Sequence, residues 1–162
     1  MMDTDAHRLL PVDTHDQWRT YDDMRRRMLW ENRGLFGVYQ ENHPDERKPR
    51  NHPMLLLFHG DPIGVVRIDI DRDAAEATMR RVAITETEQR RGHGRALVQL
   101  VEQFAAREGC RRVIVGSAED AQRFYEKCGY TTRAPGSKQM WKDISDCEQP
   151  AAADGEDAAA ES

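Results

Sequence analysis

Between a β-like run from Thr78 to Ile84 and a helix-like run from Ala96 to Arg107 lies Gln89-Arg90-Arg91-Gly92-His93-Gly94, and no other stretch limits the fold so much. Two glycines one residue apart let the backbone turn with positive φ and bring its amides close to a ligand. The helix that follows adds unpaired N–H groups and the positive end of its dipole. A strand, such a turn and a helix, in that order, make an anion cradle. Gly-x-Gly also closes ordinary tight turns, so the hexamer alone leaves a plain turn as the alternative.

Further along stands Ala121-Gln122-Arg123-Phe124-Tyr125-Glu126-Lys127-Cys128-Gly129-Tyr130, an A-x-x-F-Y-x-x-x-G-Y pattern that reads as a short helix closed by Gly129. Together the two segments resemble the GNAT superfamily of N-acetyltransferases, clearly from Met54 to Asp143 and loosely over the preceding residues. The resemblance implies an α/β (α+β mixed) domain: a mixed, mostly antiparallel sheet with helices on both faces. It also implies that Gln89 to Gly94 form the acetyl-CoA pyrophosphate loop and that Tyr125 sits near the thioester sulfur. One departure is visible. Many relatives carry Asn three residues before the alanine of the second motif, where this chain has Ala118; Ser117 could substitute, or could cap the helix in an S-x-x-D arrangement with Asp120.

A chain of 162 residues suits one ordinary domain with a real core. Its net charge of -5 is uneven: Asp143 to Ser162 carry seven acids and no Lys or Arg, leaving 22 acids against 24 bases elsewhere. Residues 1–145 are therefore read as the GNAT-like domain and 146–162 as a disordered, acidic, alanine-rich tail. The apolar run Met54 to Phe58 is too short to span a bilayer, and the acidic start lacks the basic and apolar regions of a signal peptide, so a cytoplasmic protein is expected. Cys110, Cys128 and Cys147 are odd in number and widely spaced, which suits a reducing compartment. Cys128 is expected in the core.

Thr14-x-x-Gln17 is a capping-box pattern, and Trp18, Tyr21, Met24 and Met28 then mark the inner face of a helix to about Glu31. Arg25, Arg26 and Arg27 read as a solvated or internally paired face, because the near-neutral body does not suit nucleic acid. Three prolines punctuate Asn32 to Pro53, a long connection around a short apolar piece from Leu35 to Tyr39; in the family it resembles, this segment helps form the acceptor pocket. His43, Asp45, Glu46 and His52 fall here without a metal-ligand spacing, and no metal is expected. Met54 to Phe58 and Ile63 to Asp71 make a hairpin, Ala77 to Thr85 a third strand, Val113 to Val115 a buried strand, and Lys138 to Ile144 the last.

Acetyl transfer to an amine needs a held cofactor, a neutral amine and somewhere for charge to go. Amides of Arg91, Gly92, His93 and Gly94 would take the pyrophosphate, with Gln89 in the same loop and Arg90, Arg91 or Arg95 adding charge; each arginine is equally compatible with a solvated surface. The resemblance implies that the backbone of Val82, Ala83 and Ile84 pairs with the pantetheine arm and donates to the thioester carbonyl, and that Ala121 and Phe124 line the cofactor. A phenol with pKa about 10 is protonated at neutral pH and can donate to a thiolate whose conjugate acid lies near 8.5, which is the role read for Tyr125; a core tyrosine is the alternative. Asp69 is the first candidate to take the amine's proton and Glu86 the second, although Asp69 could equally form a surface ion pair with Arg67. The expected partner is a small-molecule or peptide amine, with a homodimer open and neither nucleic acid nor membrane engaged. Two other readings stand beside the acetyltransferase: a non-catalytic acyl-CoA-binding or regulatory module, and an interaction protein whose acidic tail engages a basic partner.

Overall fold

In a computed structural model, which describes residues 6–30, 48–89, 91–116 and 119–145, the first helix starts where the capping box puts it. The Thr14 hydroxyl accepts from the Gln17 N–H at 3.2 Å, and the Gln17 side chain accepts from the Thr14 N–H at 2.8 Å. Helix α1 covers His15–Arg25 and passes into a π-helical turn, Arg26–Trp30. The three arginines part company. Arg26 and Arg27 both pair with Asp23, each at 2.9 Å, whereas Arg25 is buried and donates to the Tyr21 hydroxyl at 3.2 Å.

Strands β1 (His7–Pro11), β2 (Asn51–Phe58), β3 (Asp61–Asp71), β4 (Glu76–Ile84), β5 (Arg112–Gly116), β6 (Thr131–Thr132) and β7 (Gln139–Asp143) form one sheet in the order β1-β2-β3-β4-β5-β7-β6. Every neighbouring pair is antiparallel except β4 with β5, which is parallel. The expected fold class is the one observed. Two strands escape the sequence reading: β1, which pairs Leu9 with Leu56, and the two-residue β6.

Helix α2 (His93–Arg107) links β4 to β5 and α3 (Glu119–Lys127) follows β5; both pack on one face of the sheet, and α1 packs on the other. Alternation along β3 serves both faces: Val66, Ile68 and Ile70 join Leu97, Val101 and Tyr125 in the larger core, while Val65 joins Tyr21 and Met24 in the smaller. Full burial of such aliphatic side chains is worth about 1.5–3 kcal/mol each. Among the described residues no helix is long and apolar enough to cross a membrane. Residues 31–47 and the acidic tail lie outside the described residues, and with them Leu35 to Tyr39, His43, Asp45 and Glu46.

Candidate active site

Strand β4 has two halves. From Glu76 to Met79 it is bonded to β3 on one side and to β5 on the other, ending at the pair Met79 with Val115. Beyond Met79 the ladder to β5 stops, while β3 still pairs with Arg80, Ala83 and Ile84. A bulge accompanies the change, since Arg81 and Val82 together stand opposite Val66. A bulge twists a strand and redirects it, so the sheet opens between β4 and β5 and one backbone edge of Arg80 to Ile84 is left without a strand partner among the described residues. Within that stretch, Val82 and Ile84 lean on the larger core and Ala83 on the smaller.

At the mouth of that opening the chain turns through a short 3-10 element, Glu86–Glu88, and the glycine loop into α2. Gln89 donates from Nε2 to the carbonyl of Ile84 at 2.8 Å, tying the loop back to the end of β4. Gly92 is the N-cap, with φ 87°, a left-handed conformation that side chains other than glycine resist. No side chain caps it. The Ala96 N–H closes on the Gly92 carbonyl at 3.3 Å, which leaves the N–H groups of His93, Gly94 and Arg95 without an acceptor inside the helix. Arg91 and Arg95 are exposed beside them; Arg90 lies outside the described residues.

The second glycine has a reason that sequence reading missed. A Cβ on Gly94 would lie 3.2 Å from Cζ of Phe124, so the bare backbone of α2 lets α3 approach, and a side chain there would first meet that ring. At Gly92, by contrast, a Cβ would meet nothing within 4 Å. Phe124 is the one large apolar side chain left exposed among the described residues, and Ala121, one turn before it, leans half-buried on the core.

Tyr125 follows Phe124 and turns inward, 7% exposed, edge-on to the Phe124 ring at 5.1 Å and to the Tyr130 ring at 5.7 Å. Its hydroxyl makes no hydrogen bond to a described residue. Burial, with a smaller contribution from Cys128, pushes its pKa up to about 12. Tyr130 is its counterpart: its hydroxyl donates to Glu102 Oε2 at 2.9 Å, and Lys142 Nζ donates to Glu102 at 3.2 Å and to the Cys128 carbonyl at 2.9 Å. Burial first, and the Glu102 carboxylate second, hold the Tyr130 phenol well above the usual range. Cys128 packs half-buried against the core, where burial raises its thiol pKa.

Asp69 lies on the α1 face of β3, the opposite face from Tyr125. Its two oxygens accept three guanidinium bonds, two from Arg67 and one from Arg80, all at 2.8 Å. The Arg67 pairing was legible in the i,i+2 spacing; the Arg80 pairing was not, because it crosses from β4. The backbone of Glu86 opens the 3-10 turn just beyond the half of β4 that has parted from β5, while its side chain lies outside the described residues, as do Ser117 and Ala118. Among the described residues no group of three or more His, Cys, Asp or Glu side chains is placed to hold a metal ion.

Within the loop, His93 has a buried and hydrogen-bonded ring, which sequence reading did not foresee. His93, 4% exposed, has its ring Nδ1 at 2.8 Å from Nε2 of His7 and its Nε2 at 3.1 Å from Oε1 of Glu88. The Phe58 ring lies 4.6 Å from the His93 ring and 4.7 Å from that of His7.

A family model for the acetyltransferase (GNAT) family matches residues 13–130. Among solved structures, a Lactobacillus plantarum protein assigned as an N-acetyltransferase superposes with a TM-score of 0.71 at 23% identity, covering 86% of this chain and 99% of that one. Escherichia coli ElaA gives 0.71 at 17% identity, covering 85% and 98%. The spermidine N-acetyltransferase of Vibrio cholerae, in complex with CoA and spermine, gives 0.68 at 14% identity, covering 86% and 96%.

Proposed function

The chain belongs to the GNAT family of acetyltransferases, and from that premise we propose that it moves the acetyl group of acetyl-CoA to a primary amine by direct attack in a ternary complex. As a member it is an acyltransferase; the cofactor, the acceptor class and the residue roles are the parts proposed. The observation that carries them is the parting of β4 from β5 at Met79, beside a helix whose first amides have no acceptor within the helix and no side-chain cap among the described residues.

These residues fit the cofactor. Three N–H groups at the start of α2 with no acceptor inside the helix, the left-handed Gly92 and the exposed Arg91 and Arg95 suit a pyrophosphate. Arg90, Gln89, His93 and Gly94 complete the proposed loop. The unpaired edge of Val82, Ala83 and Ile84 suits the amides of an extended pantetheine arm, with Ala121 and Phe124 across from it on α3. Acetyl-CoA supplies a thioester carbonyl carbon on which a neutral amine nitrogen forms its bond as the carbon–sulfur bond breaks. A β4 N–H donates to the carbonyl oxygen as negative charge develops there. Tyr125 gives its hydroxyl proton to the departing sulfur and regains one from solvent; with its pKa at about 12 it is fully protonated near neutral pH. The amine must shed a proton, for which Asp69 and Glu86 are the proposed carboxylates, directly or through water.

The Vibrio cholerae enzyme that shares the fold is a spermidine N-acetyltransferase, so polyamines head the list of amines to test, followed by amino acids and peptide amines. The test is thiol release from acetyl-CoA by the purified protein over that panel. Release that depends on one amine class supports the proposal. Tight acetyl-CoA binding with no release over every amine would instead support a non-catalytic binding module.

A further inference from the structure

We propose that the His93 side chain is a positioning residue for the cofactor loop, its ring locked between His7 and Glu88 so that the edge strand β1 and the 3-10 turn together set the first turn of α2. This role deepens the acetyl-CoA reading above and rests on it. Three features of the structure support it: the burial of the ring, the hydrogen bonds at both of its nitrogens, and its place in the chain.

A carboxylate accepts and does not donate, so the hydrogen bond at 3.1 Å to Glu88 puts the proton of a neutral His93 ring on Nε2. Its Nδ1 then has only a lone pair to offer, and His7 must donate from Nε2 across 2.8 Å. With His93 neutral, donation runs from His7 through His93 to Glu88. The His7 bond joins residues 86 apart in sequence. Phe58 packs on both imidazoles and fills the space beside them.

His93 is also the first residue of α2, and its own backbone N–H is one of the three left open. Holding the ring at both nitrogens therefore holds that amide, and through it the neighbouring Gly92 and Gly94. Among the described residues the loop has a second side-chain tie, the Gln89 bond to Ile84 on β4; Arg91 lies 3.9 Å from Glu88 and is mostly exposed. The cradle is thus held from two sides, by Gln89 on β4 and by His93 through β1. Donors fixed in advance need less ordering when the anion arrives.

Two variants test this. His7→Phe keeps a ring on Phe58 and deletes the donor. Glu88→Met deletes the acceptor and a negative charge, a change that by electrostatics alone would tighten anion binding. Positioning predicts that both weaken acetyl-CoA in calorimetry, and raise its KM, about tenfold. The amine KM and the kcat at saturating acetyl-CoA should stay within about twofold, and His7→Gln, which restores an N–H donor, should recover most of the affinity. Equal affinity in folded His7→Phe and Glu88→Met, while Gly92→Val loses binding, overturns the positioning role alone. A wild-type protein that does not bind acetyl-CoA overturns the cofactor reading, and this role with it.

Discussion

At the C-terminal end of α2, the carbonyls of Phe104, Ala105 and Ala106 accept from the N–H groups of Glu108, Cys110 and Gly109, and Arg72 reaches across to the Glu108 carbonyl at 3.1 Å and to its carboxylate at 2.6 Å. At the N-terminal end, the amides of His93, Gly94 and Arg95 have no helical acceptor, Gly92 offers no side chain, and no acidic residue stands in the first turn, where the helix dipole would favour one. One helix therefore has an end satisfied by the protein and an end left for something else. The two buried tyrosines nearby repeat the contrast: the Tyr130 hydroxyl is bonded to Glu102, and the hydroxyl of Tyr125, its ring 5.7 Å away, is bonded to no described residue. Satisfied groups hold the fold, and polar groups the fold leaves unsatisfied are where a ligand gains most.

The largest expected effect separates the tyrosines. Tyr125→Phe keeps nearly all the packing and removes the hydroxyl, and as general acid its loss should lower turnover by about two to four orders of magnitude with little change in acetyl-CoA affinity or melting temperature. Tyr130→Phe should do the reverse, costing stability and sparing turnover per folded molecule. Near-normal turnover of Tyr125→Phe at saturating amine would remove the general-acid assignment.

Next comes the open end of the helix. Gly92→Val adds atoms where the protein has none within 4 Å, so the fold should survive at a cost of about 1–2 kcal/mol for the left-handed conformation. Acetyl-CoA affinity should fall at least about tenfold, or about 1.4 kcal/mol, as read by calorimetry. Unchanged affinity in the folded variant would leave the loop as a plain turn. Gly94→Val is the poorer test, because Phe124 stands in the way of its Cβ.

The satisfied side has its own test. Glu102→Ala strips the acceptor from both the Tyr130 hydroxyl and Lys142, and chemical denaturation should show a loss of about 2–3 kcal/mol, with turnover per folded molecule unchanged. A fall in turnover without a fall in stability would move Glu102 into the reaction.

The smallest effect belongs to His52, whose ring stands edge-on to Phe104 at 5.3 Å near the closed end of α2. Burial lowers its pKa from 6.5, with Arg72 acting in the same direction and Glu108 against it. The unfolded chain then takes up a proton at a higher pH than the folded one, so the stability this residue contributes is present above about pH 6.5 and is lost as pH falls through its lower folded value. His52→Phe should flatten the acid side of the stability profile slightly, as read by denaturation at a series of pH values. An identical slope in the variant would assign that limb to other groups.

Local chemistry made much of this legible. The Thr14 and Gln17 box, the β2–β3 hairpin, the glycine loop and the helix around Tyr125 are each written within a few consecutive residues, and each stands where the pattern put it. What escaped depends on partners far along the chain. β1 is short, ends at a proline and is held by its pairing with β2, which nothing in His-Arg-Leu-Leu-Pro announces. The parting of β4 from β5 is a relation between strands, and neither carries a local mark of it. The approach of Phe124 to Gly94 and the bond from His7 to His93 likewise join elements that meet only after folding.

The place of β7 bears on how the protein comes into being. Every residue proposed to touch acetyl-CoA or its sulfur has been synthesised once Tyr125 is added, yet β7 lies inside the sheet, between β5 and β6, and its Lys142 grips the end of the helix that carries Tyr125. Domains fold as units while a ribosome is still extending the chain. A nascent polypeptide can therefore display the whole loop and the tyrosine and still be no enzyme, until the strand ending at Asp143 clears the exit tunnel and slides into its slot.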